Sequence, residues 1–342
     1  MPSSNSPLRL RWHTVAIAAL TIGVIWWFLR SLDFHNVWQA ITHARLGLIL
    51  LAVLATFQTY VIRAWRWQAL LRPIGRARFG PAFRTTVIGF TANFLLPGRI
   101  GEVLRPYMLA RQSNFSAAAA FATVIIERVL DLASVLLLFA FFLMTTNIQI
   151  PSQLKLAGVL GAAVAVSGLV LMAISAGHPE RLARWAGRLT RVLPGRAAEI
   201  ASGFVHTFVE GLAVMRRPGP LVVSFALSVL LWLSISLGAW LTSAAFDLTF
   251  PFTGSFLVLT FLVVGVSVPT PAGIGTFQAA YQYAVTTFFG AAPDPAGAAA
   301  IVLHAVSFIP ISILGLALMG REGLTLGGLK AMRSTAEEAE RS

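Results

Sequence analysis

The sequence predicts an all-α polytopic membrane protein with about six full spans and two broken helical hairpins. Three observations carry this. Of the 342 residues, 57% are hydrophobic and 11% charged, where an ordinary soluble domain carries roughly 25% charged residues. Several apolar runs reach the roughly 20 residues that a spanning helix needs. Two further apolar regions are interrupted by proline and glycine well inside their length, near residues 97–101 and 267–275.

The chain opens with a tail at 1–12 and an apolar run at 13–30. Basic residues before such a run also mark signal peptides. This run ends in Trp26, Trp27, Phe28 and Arg30 without a small-residue cleavage site, and is read as a retained first span. Further spans are expected at 46–64, 116–146, 154–176, 220–246 and 298–319. Between them lie the interrupted regions 83–109, broken at Pro97, Gly98 and Gly101, and 254–290, broken at Pro269, Pro271, Gly273 and Gly275. One transmembrane domain, 13–320, therefore precedes a tail at 321–342.

Residues 177–219 separate two spans. Ile200, Phe204, Phe208 and Leu212 recur every fourth position, as on a helix lying in the headgroup region. Arg181, Arg184, Arg188 and Arg191 form a second stripe suited to anionic headgroups. The plainer reading is a cytoplasmic loop that sets topology.

Net charge is +13, from twenty-four Arg and two Lys against thirteen acidic residues. In a membrane protein such charge sits in loops and fixes orientation, so nucleic-acid binding is not expected. Arg9 and Arg11 precede the first span, and residues 63–84 hold Arg63, Arg66, Arg72, Arg76, Arg78 and Arg84. With the 177–219 arginines, Arg321 and Lys330, these belong to the cytoplasmic face of the cell inner membrane, and both termini with them. The loops at 147–153, 247–253 and 291–297 carry no Lys or Arg and belong outside, as does 31–45 by alternation. The 83–109 region then enters from the cytoplasm and returns there, while 254–290 starts and ends outside, as a re-entrant hairpin or two thin spans. Two re-entrant hairpins would enter from opposite faces, as in an inverted repeat, whose discontinuous helices bind substrate near the midplane. No internal sequence repeat is visible, so that symmetry rests on topology alone.

The absence of cysteine excludes disulfides, thiolate metal sites and cysteine nucleophiles. No nucleotide-binding, dinucleotide or zinc-protease motif occurs, nor a carboxylate-rich metal loop. No cofactor, metal or catalytic residue is expected, and transport would be secondary or downhill.

Four stretches carry polar chemistry at membrane depth. In GFTANFLLPGRIGEVLRPY (89–107), Pro97, Gly98 and Gly101 turn the chain, and a helix restarting near Ile100 aims free N–H groups at the break. Arg99 adds a full charge there, which makes an anion site suited to phosphate. Glu102 is placed to neutralise Arg99 or Arg105; an Arg99–Glu102 pair holding the hairpin explains the residues equally well. In ATVIIERVLDLAS (122–134), Glu127 falls about 16 Å along a helix starting near 116, close to the bilayer centre. Glu127 and Asp131 share a face, and Arg128 can pair with Asp131. Such charges line a substrate path or form a structural cluster with Arg99 or Arg105. In SVPTPAGIGTFQAAYQYA (267–284), Gln278, Tyr281 and Gln282 share a face beyond the break, to hold a headgroup or to pack a kinked hairpin. In RAWRWQALL (63–71), Arg63 and Arg66 alternate with Trp65 and Trp67 as in an interfacial belt. His304 is read as a packing residue or a helix–helix hydrogen bond.

The motif set Arg66-Trp67-x2-Leu70-Leu71, Asn93-x3-Pro97-x-Arg99-x-Gly101-Glu102, Glu127-Arg128-x2-Asp131 and Pro269-x-Pro271-x-Gly273-x-Gly275 resembles the lysylphosphatidylglycerol synthase transmembrane family, also called flippase-like proteins. The resemblance runs over about 13–320. It implies a lipid-translocating module that acts on an anionic membrane lipid, in some relatives beside a separate lipid-modifying enzyme. A cytosolic synthase domain is not expected in a chain of 342 residues. The resemblance also adds Arg66 and Asn93 to the substrate-contact set of Arg99, Glu102, Arg105, Glu127, Arg128, Asp131, Gln278 and Tyr281. Ala272 stands where the family usually has a second glycine, and Gln278 where many members carry glutamate, which removes one membrane carboxylate. The expected function is movement of a phosphate-bearing lipid (phospholipid, polyprenyl-linked or hopanoid-type) between leaflets. Two rivals stand: a membrane-embedded transferase acting on lipid-linked phosphate, and a non-transporting scaffold.

Overall fold

The structure, a computed structural model, describes residues 22–26, 28–30, 32–96, 99–113, 115–177, 217–268 and 270–323. The tails, most of the 177–219 loop with its two stripes, Pro97, Gly98 and Pro269 lie outside the described residues. The described chain is all α. Residues 22–26 and 28–29 are helical. Ten further helices follow: α1 Phe34–His43, α2 Leu46–Leu71, α3 Phe79–Leu95, α4 Gly101–Ala110, α5 Ala117–Thr145, α6 Ser152–Gly177, α7 Pro218–Ala245, α8 Gly254–Ser267, α9 Thr276–Phe289 and α10 Pro293–Arg321. A single 3-10 turn, Pro271–Gly273, separates α8 from α9.

Helices α2, α7 and α10 are long and apolar enough to cross a membrane. Helix α5 has 29 residues, or about 43 Å of rise, but carries Glu127, Arg128 and Asp131 in its middle. Ser116 starts it, its hydroxyl accepting from the Ala119 N–H at 3.0 Å. The predicted outer segment 31–45 contains the short helix α1, capped by Asp33. It packs on α10, where Asn36 Nδ2 donates to Asp294 at 2.9 Å.

Helix α2 corrects one expectation. The span predicted at 46–64 continues to Leu71, so Arg63 and Arg66 lie on a helix rather than in a basic loop. No glycine or proline interrupts 48–72, and Ala, Leu, Trp, Gln and Arg all sustain a helix. Arg72, Arg76, Arg78 and Arg84 remain beyond its end or at the next helix.

Both interrupted regions are broken hairpins. Helix α4 has ten residues, about 15 Å of rise, half of a hydrocarbon core of about 30 Å. Helices α8 and α9 have 14 residues each, about 21 Å, and neither crosses that core alone. In the first hairpin α3 and α4 touch backbone to backbone: a Cβ on Gly101 would fall 1.7 Å from the Gly89 carbonyl oxygen. The second turns through Ala272, Gly273 and Gly275, with φ of 52°, 71° and 85°. The two breaks meet. Arg99, itself at φ 51°, donates to the Val266 carbonyl at 3.3 Å, and α3 packs against the 3-10 turn.

Around this junction the other helices form a frame. Helices α2 and α7 run along each other as the most extensive pair, and α10 touches α1, α2, α3, α7 and α9. Tyr281, Val285, Val258 and Leu303 pack α8, α9 and α10 into one apolar core. Val135, Phe139, Phe142 and Leu257 join α5 to α8 in a second. Ile88, Leu104, Met108 and Met319 fasten the first hairpin to α10.

Candidate functional site

The mid-helix charges of α2, α4 and α5 converge. Arg66 is fully buried. Its Nη1 donates to Asp131 and, at 2.8 Å, to the Ser228 hydroxyl of α7. Its Nε lies 3.7 Å from Glu127. Arg105 Nη2 donates to both oxygens of Glu127 at 2.9 Å. Its guanidinium also lies over the Trp67 ring, 3.8 Å from the centroid. Trp67 in turn donates to Thr123 at 3.0 Å, and Trp232 of α7 donates to Asp131 at 2.9 Å. One neutral cluster thus ties α2, the short limb α4, α5 and α7 together. Charges at membrane depth cost at least about 2.5–3.5 kcal/mol each on insertion scales. The pairing offsets that cost and, as with buried pairs generally, makes removal of one partner expensive.

Beside the cluster lies a cavity of about 350 Å³. It is bounded by α2, α3, α5, α7, α8, α9 and α10, at the place where the hairpin breaks meet. Three arginines reach its wall: Arg63, Arg99 and Arg128. Asp131 is the carboxylate that shares the wall with them, and Thr59, Ser234, Ser267 and Ser307 add hydroxyls. The remainder is mostly apolar, with Phe90, Phe94, Leu259, Leu262, Phe277 and Phe308. The three arginines differ in their support. Arg128 comes within 3.8 Å of Asp131, which Arg66 already engages. Arg99 is exposed, and its one side-chain hydrogen bond among the described residues goes to a carbonyl. Arg63 has no carboxylate partner among the described residues. It rests over Phe90 and Tyr60, at 4.5 and 5.8 Å from the ring centroids, and its Nε is buried without a hydrogen bond. A ring face attracts a cation, by on the order of 2 kcal/mol when desolvated, but accepts few of its N–H bonds. The wall thus presents cations with unused donors next to an apolar chamber.

The predicted residues separate into two groups around this chamber. Arg66, Arg105, Glu127, Arg128 and Asp131 come together, although Arg66 and Trp67 are buried and do not form a belt; of that stretch only Trp65 is exposed. Glu102 pairs with neither Arg99 nor Arg105: Glu127 takes Arg105, and Glu102 stands on α4 away from the cavity wall. Asn93 lies at the α3–α4 crossing, its Oδ1 buried without a partner. Gln278 and Tyr281 also stay off the wall. Gln278 Oε1 accepts the Gly275 N–H at 2.8 Å, closing the start of α9, and the Tyr281 hydroxyl bonds Ser243 at 2.5 Å. Both are thus engaged in holding the second hairpin. His304 bonds the Ala272 carbonyl at 3.0 Å and stacks on Phe308, fixing the turn from α10. Sequence reasoning missed Arg63 as a wall residue. The available signal was helical spacing: Thr59, Arg63 and Arg66 fall on one face once α2 runs past residue 64. No cluster of metal-ligating side chains occurs among the described residues.

Comparison with known proteins adds the following. The family model described as the lysylphosphatidylglycerol synthase TM region matches residues 13–315. A UPF0104 membrane protein of Methanothermobacter thermautotrophicus is 26% identical over 295 residues, covering 79% of this chain and 83% of the relative. A second UPF0104 membrane protein, from Methanocaldococcus jannaschii, is 24% identical over 286 residues, with 78% and 82% covered. Glycosyltransferase AglD of Haloferax volcanii is 25% identical over 338 residues; that match takes in 87% of this chain but only 53% of AglD.

Proposed function

The chain belongs to the lysylphosphatidylglycerol synthase transmembrane family, matched over residues 13–315, and from that premise we propose that it is a lipid flippase. It moves a phosphate-bearing lipid between leaflets of the cell membrane, without altering it, with both termini on the cytoplasmic side. A separate enzyme would make or use the lipid. The observation that carries the reading is the cavity: three arginines and a few hydroxyls at the junction of two helix breaks, opening onto aromatic and aliphatic walls. That division matches an amphiphile, with phosphate on the guanidinium groups and tail along the apolar side. Non-helical backbone at membrane depth is tolerated where it is buried in protein or lines a wet cavity, and Arg99, Val266 and Ser267 beside these breaks line the cavity. The neutral Arg66–Asp131 and Arg105–Glu127 pairs act as the frame that aims Arg128 and holds α4.

The name of the glycosyltransferase relative favours one rival, a transferase acting on lipid-linked phosphate. Purified protein in liposomes carrying a fluorescent phosphatidylglycerol, with outer-leaflet dye bleached chemically, separates the readings. Movement of unchanged lipid, reduced at least about tenfold by Arg99→Ala and Arg128→Ala, supports transport. A new lipid product after incubation with a lipid-linked sugar phosphate supports catalysis. Leaflet exchange at the same rate in wild type, both variants and empty liposomes, with fluorescent phosphatidylglycerol and with fluorescent phosphatidic acid alike, contradicts transport through this site.

A further inference from the structure

The charge inventory of the site points beyond "a phosphate". Five arginines, Arg63, Arg66, Arg99, Arg105 and Arg128, surround or line the cavity and its supporting cluster. Two carboxylates, Glu127 and Asp131, face them. Arg66 with Asp131 and Arg105 with Glu127 account for both carboxylates. Among the described residues three cations then remain on the wall, Arg128 sharing a carboxylate already taken and Arg63 and Arg99 having no ion pair. Resting on the transport reading above, we propose that the lipid head bound here carries two or more negative phosphate charges, as a phosphomonoester or a diphosphate, and that Arg63 is one of its anchors.

A phosphodiester head carries a single negative charge and leaves two of the three cations without a counter-charge, which is disfavoured above all for Arg63, whose Nε is buried. A phosphomonoester carries roughly 1.5–2 negative charges at neutral pH, and a diphosphate spreads its charge over two phosphorus centres. The second phosphorus brings further oxygens, enough to engage two guanidinium groups with paired N–H···O bonds. Arg63 fits such a role because its buried Nε has no acceptor and the ring faces beside it offer none.

Three lipids with identical tails test this: dioleoylphosphatidylglycerol with one charge, dioleoylphosphatidic acid as the monoester, and dioleoylglycerol diphosphate. Each is titrated into the purified chain, with binding read from tryptophan emission, since Trp232 lines the cavity. The diphosphate, the monoester or both should bind at least about tenfold tighter than phosphatidylglycerol, and which of them leads tells the two head types apart. Arg63→Gln should weaken the tightest ligand about tenfold and phosphatidylglycerol less than threefold. Equal affinity for all three lipids overturns the charge-matching proposal and leaves the transport reading standing. Failure of all three to bind overturns both. If Arg63→Gln does not fold, Arg128→Gln is read in the same way, and the wild-type ranking decides by itself.

Discussion

Arg105 and Glu127 are buried and joined by two hydrogen bonds of 2.9 Å, while the second cation at Glu127, Arg66, stands off at 3.7 Å. Breaking a buried pair by removing one partner strands the other charge, whereas replacing both with apolar groups is often neutral. Glu127→Gln should therefore lower stability by roughly 3–5 kcal/mol, read as a large drop in thermal midpoint of the purified protein. Arg105→Met combined with Glu127→Leu should recover most of that loss. If the double variant is as unstable as the single, the pair is not the reason for the loss. At this scale the sequence shows part of the site. The i,i+4 spacing of Glu127 and Asp131 puts both on one face of α5, and no core position would carry three charges in five residues without polar company. Which cation meets which carboxylate is not contained in that spacing. Arg105 is reached by Glu127 rather than by its own-helix neighbour Glu102 because α4 packs against α5 and turns Arg105 inward. Arg63 looks like one of several interfacial arginines until the length of α2 is known.

Two short elements decide where the site forms. The α3–α4 hairpin depends on Gly101, whose missing side chain lets the helices touch at the Gly89 carbonyl. Gly101→Ala must force them apart, at a cost of roughly 3 kcal/mol or more, and should abolish lipid movement even where the protein still inserts. Retained transport in that variant would mean the hairpin can separate without consequence. The second hairpin turns through Ala272 at φ 52°, a conformation that costs an L-residue about 1–2 kcal/mol. Ala272→Gly relieves that strain and loses about 0.5–1 kcal/mol through unfolded-chain entropy. The net result should be unchanged or slightly raised stability, by up to about 1.5 kcal/mol; a clear fall in thermal midpoint would contradict the strain. Proline and glycine made both breaks legible in the sequence, as did the short limbs on either side. The end of α2 was not legible, because arginines that follow an apolar run read as a loop unless their partners on α5 and α7 are already in view.

Over the whole molecule, the hairpin breaks meet at one junction, and the long helices α2, α5, α7 and α10 enclose it. Loop charge predicts that the hairpins approach from opposite sides of the membrane; the contact between them runs through Arg99 and the Val266 carbonyl. The apolar runs are enough to expect a helical membrane bundle; the meeting of the two breaks depends on long-range packing, for which no run of residues carries a local signal. The central claim is that this junction holds a wet, anion-accepting chamber rather than dry packing. The chain has no cysteine, so Ser307→Cys places one thiol on the cavity wall with no background. The decisive measurement is the rate at which that thiol reacts with a small, membrane-impermeant, water-soluble reagent in proteoliposomes, with and without added dioleoylglycerol diphosphate. Reaction from at least one side of the membrane, slowed several-fold by the lipid, is the expected result. A thiol inert from both sides under every condition, in a variant that still folds, would mean the junction is sealed and the chamber does not exist.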